Sequence, residues 1–170
     1  MQGRLPSYRL VALGVCGALA CAPASRAAGS NAQADLGPAS GSQGNGTVIL
    51  NAIPGGVHLQ GKIAGLRPGA HGFHVHEVGD GSAPDASSAK GHFKPTGKPH
   101  GAHAGDLPDL NANAAGTAML SADVAGLALD DGAGGILNRA LAVHADPDDH
   151  VSQPAGNSGE RVACGVIKAR

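Results

Sequence analysis

A chain of 170 residues with 28 Gly and 11 Pro suits one domain rich in turns rather than a bundle of long helices. Aromatic residues make up only 2% of the chain and the formal net charge is −1. Stacking platforms for bases and a basic surface for phosphates are therefore both missing, which argues against a nucleic-acid partner.

The first 27 residues have the pattern of a secretory signal peptide. Arg4 and Arg9 precede the apolar run LVALGVCGALACA, which is too short to span a bilayer and is followed by small residues. Cleavage after Ala24 or Ala27 would release a periplasmic or exported protein. Loss of Arg4, Arg9 and Arg26 leaves nine basic and 13 acidic residues, a net charge of −4.

A lipid-anchored form is the less favoured alternative. The tetrapeptide ALAC ends at Cys21 and loosely resembles a lipobox, although Ala18 stands where bacterial lipoboxes usually have Leu. Without an anchor at Cys21, no membrane association is expected.

After the signal segment, residues 28–46 are predicted to form a linker with a possible first strand, and residues 47–170 to form the domain. The stretch AQADL, followed by a Gly-rich turn, would place the start of the domain near residue 31.

Short segments of alternating apolar residues fill the rest of the chain, separated by Gly, Pro, Asn and Asp clusters. In VHLQGKI, Val57, Leu59 and Ile63 fall on one face and His58 on the other, as in a half-buried antiparallel strand. This pattern predicts an all-β sandwich or barrel, with His58 simply solvated. The segments are GTVILNA, GVHLQGKIAGL, HGFHVHE, GTAMLSADV, RALAVHA and RVACGVIKA.

The histidines are concentrated in one part of the chain, because six of the nine lie between His71 and Asp106. In HGFHVHE the period of two places Phe73 and Val75 on one face of the strand and His74 and His76 on the opposite face. His71 is expected to hydrogen-bond the backbone.

A third strand histidine and a loop complete a metal-binding pattern. His144 in RALAVHA takes the face opposite to Leu141 and Val143, so three imidazoles are expected to converge on the outer surface of one sheet. A Gly/Pro-rich loop adds His92, His100, His103 and Asp106. Together these residues favour copper or zinc over a chance cluster of surface histidines.

Several motifs now occur together and in order: GFHVHE.GD, GHF.P, HAGDLP, DD after VH, and GNSGERVACGVI. With them, from about Asn31 to the C-terminus, the chain resembles the copper/zinc superoxide dismutases of the bacterial secreted type. The resemblance implies an eight-stranded antiparallel Greek-key barrel of immunoglobulin-like sandwich architecture, with long metal-binding and electrostatic loops.

The resemblance also implies the site residues. The copper ligands would be His74, His76, His92 and His144, and the zinc ligands His92, His100, His103 and Asp106, so that His92 is a shared imidazolate. Asp148 matches the family carboxylate that links a copper ligand to a zinc ligand. Arg161 matches the guanidinium beside the copper, where it can hold a small anion.

The implied activity is superoxide dismutation, in which copper cycles between Cu(II) and Cu(I), zinc is structural, and two superoxide anions become oxygen and hydrogen peroxide. Arg161 and His92 would be catalytic, His92 as ligand and proton carrier. The alternative is a non-catalytic copper- or zinc-binding protein on the same fold, against which the retained Arg161 and Asp148 argue; a structural β-domain with incidental histidines ranks third. The protein is expected to be a monomer or homodimer.

One departure from the family pattern concerns a disulfide. Bacterial members usually have Cys directly after Gly-Asp, bridged to the Cys of the motif ACG, but Gly81 stands there and only Cys164 remains. Removal of Cys16 and Cys21 with the signal segment leaves no pair to oxidise. Cys164 is expected to be a buried thiol on the core-facing side beside Val162 and Val166, or else a free thiol open to intermolecular pairing.

Two further departures concern the loops. His100 and His103 are only three residues apart, whereas the family usually has a longer excursion between these histidines, so the zinc loop is shortened. The loop after His144 also lacks the lysines that some members carry, which leaves Lys90, Lys94 or Lys98 to guide an anion.

Overall fold

The computed structural model describes residues 31–170, which form ten β-strands and one short 3-10 helix, Ser87–Ala89. No helix in this part of the chain is long and apolar enough to cross a membrane. The predicted signal segment, with Cys21, lies outside the described residues. The strands are β1 (Asn31–Pro38), β2 (Asn45–Ile53), β3 (Gly56–Ala64), β4 (Gly69–His71), β5 (Phe73–His76), β6 (Leu110–Ala112), β7 (Ala118–Ala125), β8 (Ala140–His144), β9 (Arg161–Val166) and β10 (Lys168–Ala169).

The sheet closes into a barrel because one stretch of chain changes partners at Gly72. The strand order is β4-β6-β7-β3-β2-β1-β9-β8-β5, so β4 and β5 stand at opposite ends of the path although only Gly72 separates them. β9 and β10 are likewise two parts of one stretch around Ile167, and both pair with β1. Counting each pair as one strand gives the eight-stranded antiparallel barrel that the family resemblance implies.

The connections follow a Greek key. β1, β2 and β3 are successive antiparallel neighbours, but the chain then skips β7 and β6 to reach β4. After β7 it crosses to β8, on the other side of the β1–β3 meander. The predicted fold is therefore confirmed, and these crossings carry β5 and β8 to one side of the barrel as hydrogen-bonded neighbours.

The barrel interior is filled mostly by aliphatic side chains in the predicted alternation. Val57, Leu59 and Ile63 are all buried in the core, with relative exposures of 0 to 1%. His58 on the opposite face is not merely solvated, as the sequence pattern had suggested. It is half-buried, and its Nδ1 lies 2.5 Å from Asp123 Oδ1 on the neighbouring strand β7.

Two strands lie where the apolar alternation was weakest. The three-residue strand β6 was not predicted, because LNA is too short to show a period, and tertiary pairing with β4 and β7 fixes it instead. The stretch left open as linker or strand contains β1, which pairs with β2 over Asn31 to Leu36.

The loop of residues 77–109 folds back onto β5 and occupies the edge that β8 leaves free. The Val75 N–H donates to Gly105 O (2.9 Å), and the Phe93 N–H donates to Val75 O (2.8 Å). The loop of residues 145–160 also reaches the outer face of β5, where Asp148 Oδ2 lies 2.7 Å from His74 Nε2, and both outward histidines of β5 are fully buried.

Candidate metal centre

His74 and His76 are buried on the outer side of the barrel wall. They alternate along β5 with the core residues Phe73 and Val75, as predicted, but all four residues are fully buried. The expectation of an open outer surface is therefore too simple, since the two loops cover the imidazoles. A buried imidazole without a partner is costly, so each ring nitrogen must be accounted for.

His144 joins them from β8, the neighbour of β5. The register shifts between Val143 and His144, and the His144 Nε2 atom lies 3.2 Å from the His76 Nε2 atom. His92 reaches the same place from the loop, opposite His76. One nitrogen from each of the four rings lies within 4.8 Å of the others in what we call the four-histidine group: His74, His76, His92 and His144.

Hydrogen bonds on the far side of each ring show which nitrogen faces inward. His76 Nδ1 lies 2.9 Å from Lys90 O and His144 Nδ1 lies 3.1 Å from Gly159 O, so each of these nitrogens donates to a carbonyl. Their Nε2 atoms are left as acceptors that face each other. The buried atoms His74 Nδ1 and His92 Nε2 make no hydrogen bond, and a metal ion is the partner that this set of nitrogens fits.

A second group of side chains adjoins the first and is called the Asp106 group: His92, His100, His103 and Asp106. Asp106 Oδ1 lies 3.1, 3.3 and 3.2 Å from the Nδ1 atoms of His92, His100 and His103. Donors about 2.0 Å from one ion in a tetrahedron are about 3.3 Å apart, so these spacings match a tetrahedral zinc-type site. His100 Nδ1 and His103 Nδ1 also make no hydrogen bond despite this proximity.

His92 belongs to both groups. Its Nδ1 faces Asp106 and its Nε2 faces the four-histidine group without a hydrogen-bond partner. The shortened loop still delivers its ligands, because Asp106 Oδ2 accepts hydrogen bonds from the Gly101 N–H (2.9 Å) and the His103 N–H (3.0 Å). These bonds tighten the turn and aim Asp106 Oδ1 at the three imidazoles.

Asp148 connects the two groups from the loop after β8. Its Oδ2 lies 2.7 Å from His74 Nε2 and its Oδ1 lies 2.8 Å from His100 Nε2, with all three side chains fully buried. The carboxylate accepts a hydrogen bond from the Nε2–H of each ring, which fixes the tautomers and turns both Nδ1 atoms inward. This is the linking geometry that the family resemblance implied.

The electrostatics favour the protonation states that metal ligands require. Burial, reinforced by the neighbouring imidazoles, lowers the pKa of His74 to about 3. Burial also lowers the pKa of His76 to about 2 and that of His144 to about 4. Burial opposes ionisation of Asp106, but hydrogen bonds from His92 and the His103 amide outweigh it and lower the pKa of Asp106. His74, His76 and His144 are therefore neutral at pH 7, and Asp106 is ionised.

The metal-free protein should consequently lose stability in acid. The unfolded imidazoles have pKa values near 6.5, so between about pH 6.5 and 4 the unfolded chain binds protons that the folded chain does not. The free energy of unfolding should fall as the pH drops, by about 2 kcal/mol for each of the three rings between pH 7 and pH 5. Urea unfolding of chelator-treated protein at both pH values measures this.

His144→Asn removes one titrating ring and should reduce the acid-induced loss by about a third, since the three rings contribute similarly. Equal stability of the metal-free wild type at pH 7 and pH 5 would contradict the assigned burial effects.

Arg161 lies beside the four-histidine group. Its guanidinium donates to Ala86 O (2.9 Å) and to Lys90 O, the carbonyl that also accepts from His76, and its Nη2 is 3.3 Å from His76 Nδ1. Two carbonyls of the long loop thus fix a positive charge next to the site. Lys90, one of the three candidate guiding lysines, is exposed at this place, whereas Lys94 lines a separate cavity with Glu77 and Arg139.

The surroundings of Arg161 also carry negative charge, which is not apparent from the sequence because Asp85 is 76 residues away along the chain. A shallow cavity is lined by Ser40, Asp85, Glu160 and Arg161. Asp85 acts electrostatically on Arg161, although burial is the larger effect and lowers the pKa of Arg161. These carboxylates oppose the attraction of an anion to the guanidinium.

Cys164 does not face the core, so the core-facing prediction for it is wrong. Ala163 is the buried core residue of β9 and Val162 packs against the core beside it, whereas Cys164 is half-buried on the opposite face. Burial still raises the pKa of the Cys164 thiol, which keeps it protonated at neutral pH. A Cβ atom at Gly81 would lie 3.8 Å from the Cys164 Cβ atom, a separation typical of a disulfide.

His71 bonds the backbone as predicted. Its Nδ1 lies 2.7 Å from His144 O and its Nε2 lies 2.8 Å from Arg67 O. His150, for which no role was predicted, donates its backbone N–H to Asp148 Oδ1 at 2.7 Å.

A Greek-key barrel with two adjoining groups of buried metal-binding side chains defines a class of β-barrel proteins suited to a pair of metal ions. Residues 44–167 match the family model of copper/zinc superoxide dismutase (SODC). The chain belongs to the copper/zinc superoxide dismutase family.

Two solved structures are similar to the chain over most of their lengths. One is described as the clock protein EA4, with 35% identity and a TM-score of 0.75, covering 84% of this chain and 96% of that chain. The other is a SOD-like protein from Bacillus subtilis, with 31% identity and a TM-score of 0.73, covering 79% and 96%. All seven predicted ligands lie in the two groups described above; that they bind copper and zinc stays a prediction.

Proposed function

We propose that this protein is a superoxide dismutase that converts two superoxide anions and two protons into oxygen and hydrogen peroxide. The observation that carries the proposal is the inward convergence of the four-histidine group next to the guanidinium of Arg161. Family membership supports the same activity.

The donor sets of the two groups fit different metals. Four imidazole nitrogens suit copper, which would supply the one-electron redox chemistry that the side chains lack. Three imidazoles and a carboxylate at tetrahedral spacing suit zinc, with a structural role. The residues of the Asp106 group would hold zinc and, through His92, fix the orientation of a ring in the neighbouring group.

His92 is the residue suited to carry a proton. Its Nδ1 stays directed at the Asp106 group, so only Nε2 can change partners. When Nε2 is not coordinated, its lone pair is available to take up a proton, which His92 would pass to the reduced product from its place among the other three histidines.

Arg161 would bind the anionic substrate. Its two hydrogen bonds to loop carbonyls leave the charge fixed at the edge of the four-histidine group. The described residues carry nine basic and 13 acidic side chains, so a local cation is needed to offset the repulsion of an anion by the whole molecule.

The alternative is a metal-binding protein without efficient turnover. The similarity to a protein described as a clock protein favours this second candidate, because that protein has a similar fold and is not described as a dismutase. Both candidates bind metal, so metal binding alone does not distinguish them.

A superoxide consumption assay on protein loaded with copper and zinc, with both metals counted, separates the two. The dismutase should consume superoxide at a rate proportional to bound copper and many times faster than the metal-free protein. Stoichiometric copper without turnover above that of the metal-free protein would favour the non-catalytic candidate.

We also propose export through the N-terminal segment, as the sequence pattern predicts. Fractionation of producing cells, with mass measurement of the mature chain, tests this and would reveal a lipid on Cys21.

A further inference from the structure

Gln153, in the loop after β8, holds the backbone of His100 through both ends of its carboxamide. The His100 N–H donates to Gln153 Oε1 (2.9 Å), and Gln153 Nε2 donates to His100 O (3.2 Å). The two residues are 53 positions apart in the chain. A reciprocal pair of this kind fixes both the position and the orientation of one peptide segment, as a neighbouring strand would.

The same loop also holds the His100 side chain. Asp148 Oδ1 lies 2.8 Å from His100 Nε2, so the ring and the backbone of one residue are both fixed by residues 148 to 153. The only ring nitrogen of His100 that remains is Nδ1, which is buried, makes no hydrogen bond and faces Asp106.

Two glycines allow the loops to approach so closely. Gly156 has φ +64°, and a Cβ atom there would overlap Asp148 Oδ1 and press on His100 Nε2. Gly101 has φ +86°, and a Cβ atom there would overlap His150 O. Each of the two loops therefore has a glycine at the position where a side chain would prevent the contact.

We propose that Gln153 is a positioning residue for the Asp106 group, which sets the affinity of that group for zinc by holding His100 in place. The inference rests on the proposed function, in which this group binds zinc. The support from Gln153 matters because His100 and His103 are only three residues apart, so the turn between them is short. A shift of the His100 backbone would displace one of the four ligands of the Asp106 group.

The test compares Gln153→Met with the wild type. Methionine keeps the length of the side chain and removes both hydrogen-bonding ends. Gln60→Ala is the control, since Gln60 is an exposed glutamine on β3, a strand that pairs with neither β5 nor β8. Zinc affinity is measured by competition with a chelator, copper affinity is measured in the same way, and the melting temperature is measured on metal-free protein.

Gln153→Met should weaken zinc binding about tenfold or more, the effect typical of residues that orient metal ligands. Copper affinity and the metal-free melting temperature should stay close to those of the wild type and of Gln60→Ala. A purely structural role would instead lower the melting temperature of the metal-free protein, and that result would overturn the proposal.

Equal zinc affinity in Gln153→Met and the wild type would also overturn the proposal and leave the proposed function intact. A wild-type protein without a zinc site would contradict the zinc part of the proposed function and this inference together. The two failures are therefore distinguishable.

Discussion

Gly81→Cys should form a disulfide with Cys164 and raise the free energy of unfolding by about 4.5 kcal/mol, the value of the chain-entropy model for a loop of about 84 residues. The geometry for this bond already exists. A Cβ atom at Gly81 would lie 3.8 Å from the Cys164 Cβ atom and 3.2 Å from its Sγ atom. Gly81 has no positive φ that a side chain would strain.

Calorimetry of the mature chain, oxidised and reduced, measures the effect, with an expected rise in melting temperature on the order of 10–15 °C. Gly81→Ser is the matched control, because it adds a side chain of similar size that cannot be oxidised to a disulfide. If the oxidised cysteine variant kept two titratable thiols, or melted at the same temperature as its reduced form, the two sites would not have the separation described.

Arg161→Ala should slow superoxide consumption about tenfold while copper and zinc content stay unchanged, at the low end of the rate effects that electrostatic guidance produces. The guanidinium lies beside the four-histidine group, and without it the nearby carboxylates of Asp85 and Glu160 would repel an approaching anion. The measurement is the rate of superoxide consumption per bound copper.

Two controls separate local charge from net charge and from loop support. Arg170→Ala removes one positive charge from the exposed C-terminus and should leave the rate unchanged. Arg161→Lys keeps the charge but not the paired hydrogen bonds to Ala86 and Lys90, and should recover part of the rate. An unchanged rate in Arg161→Ala would show that Arg161 does not guide the substrate.

The barrel and the faces of its strands were predictable from alternation. Phe73 and Val75 on one side of β5, with His74 and His76 on the other, follow from the period of two alone. Burial of those histidines was not predictable, because it depends on a loop that pairs with β5 through Gly105 and Phe93. This pairing uses backbone hydrogen bonds, which do not affect the periodicity of side chains.

Contacts between loops that are distant in the chain could not be predicted from the sequence pattern either. Gln153 looked like an ordinary loop residue, since nothing in QPAGN indicates that its amide reaches His100. Cys164 was assigned to the core because free cysteines are usually buried, but its place in β9 puts it on the face opposite to Ala163. In both cases tertiary structure, not local composition, decides the environment.

The central claim is that four imidazoles from two strands and a loop bind one copper ion. Electron paramagnetic resonance of copper-loaded wild type, His144→Ala and the control His58→Ala, which changes a histidine outside both groups, tests it most directly. We expect one nitrogen-ligated Cu(II) per chain, with a spectrum altered by His144→Ala and unaltered by His58→Ala. A wild type without a bound Cu(II) signal, or a signal that His144→Ala leaves unchanged, would contradict the copper site and the proposed activity with it.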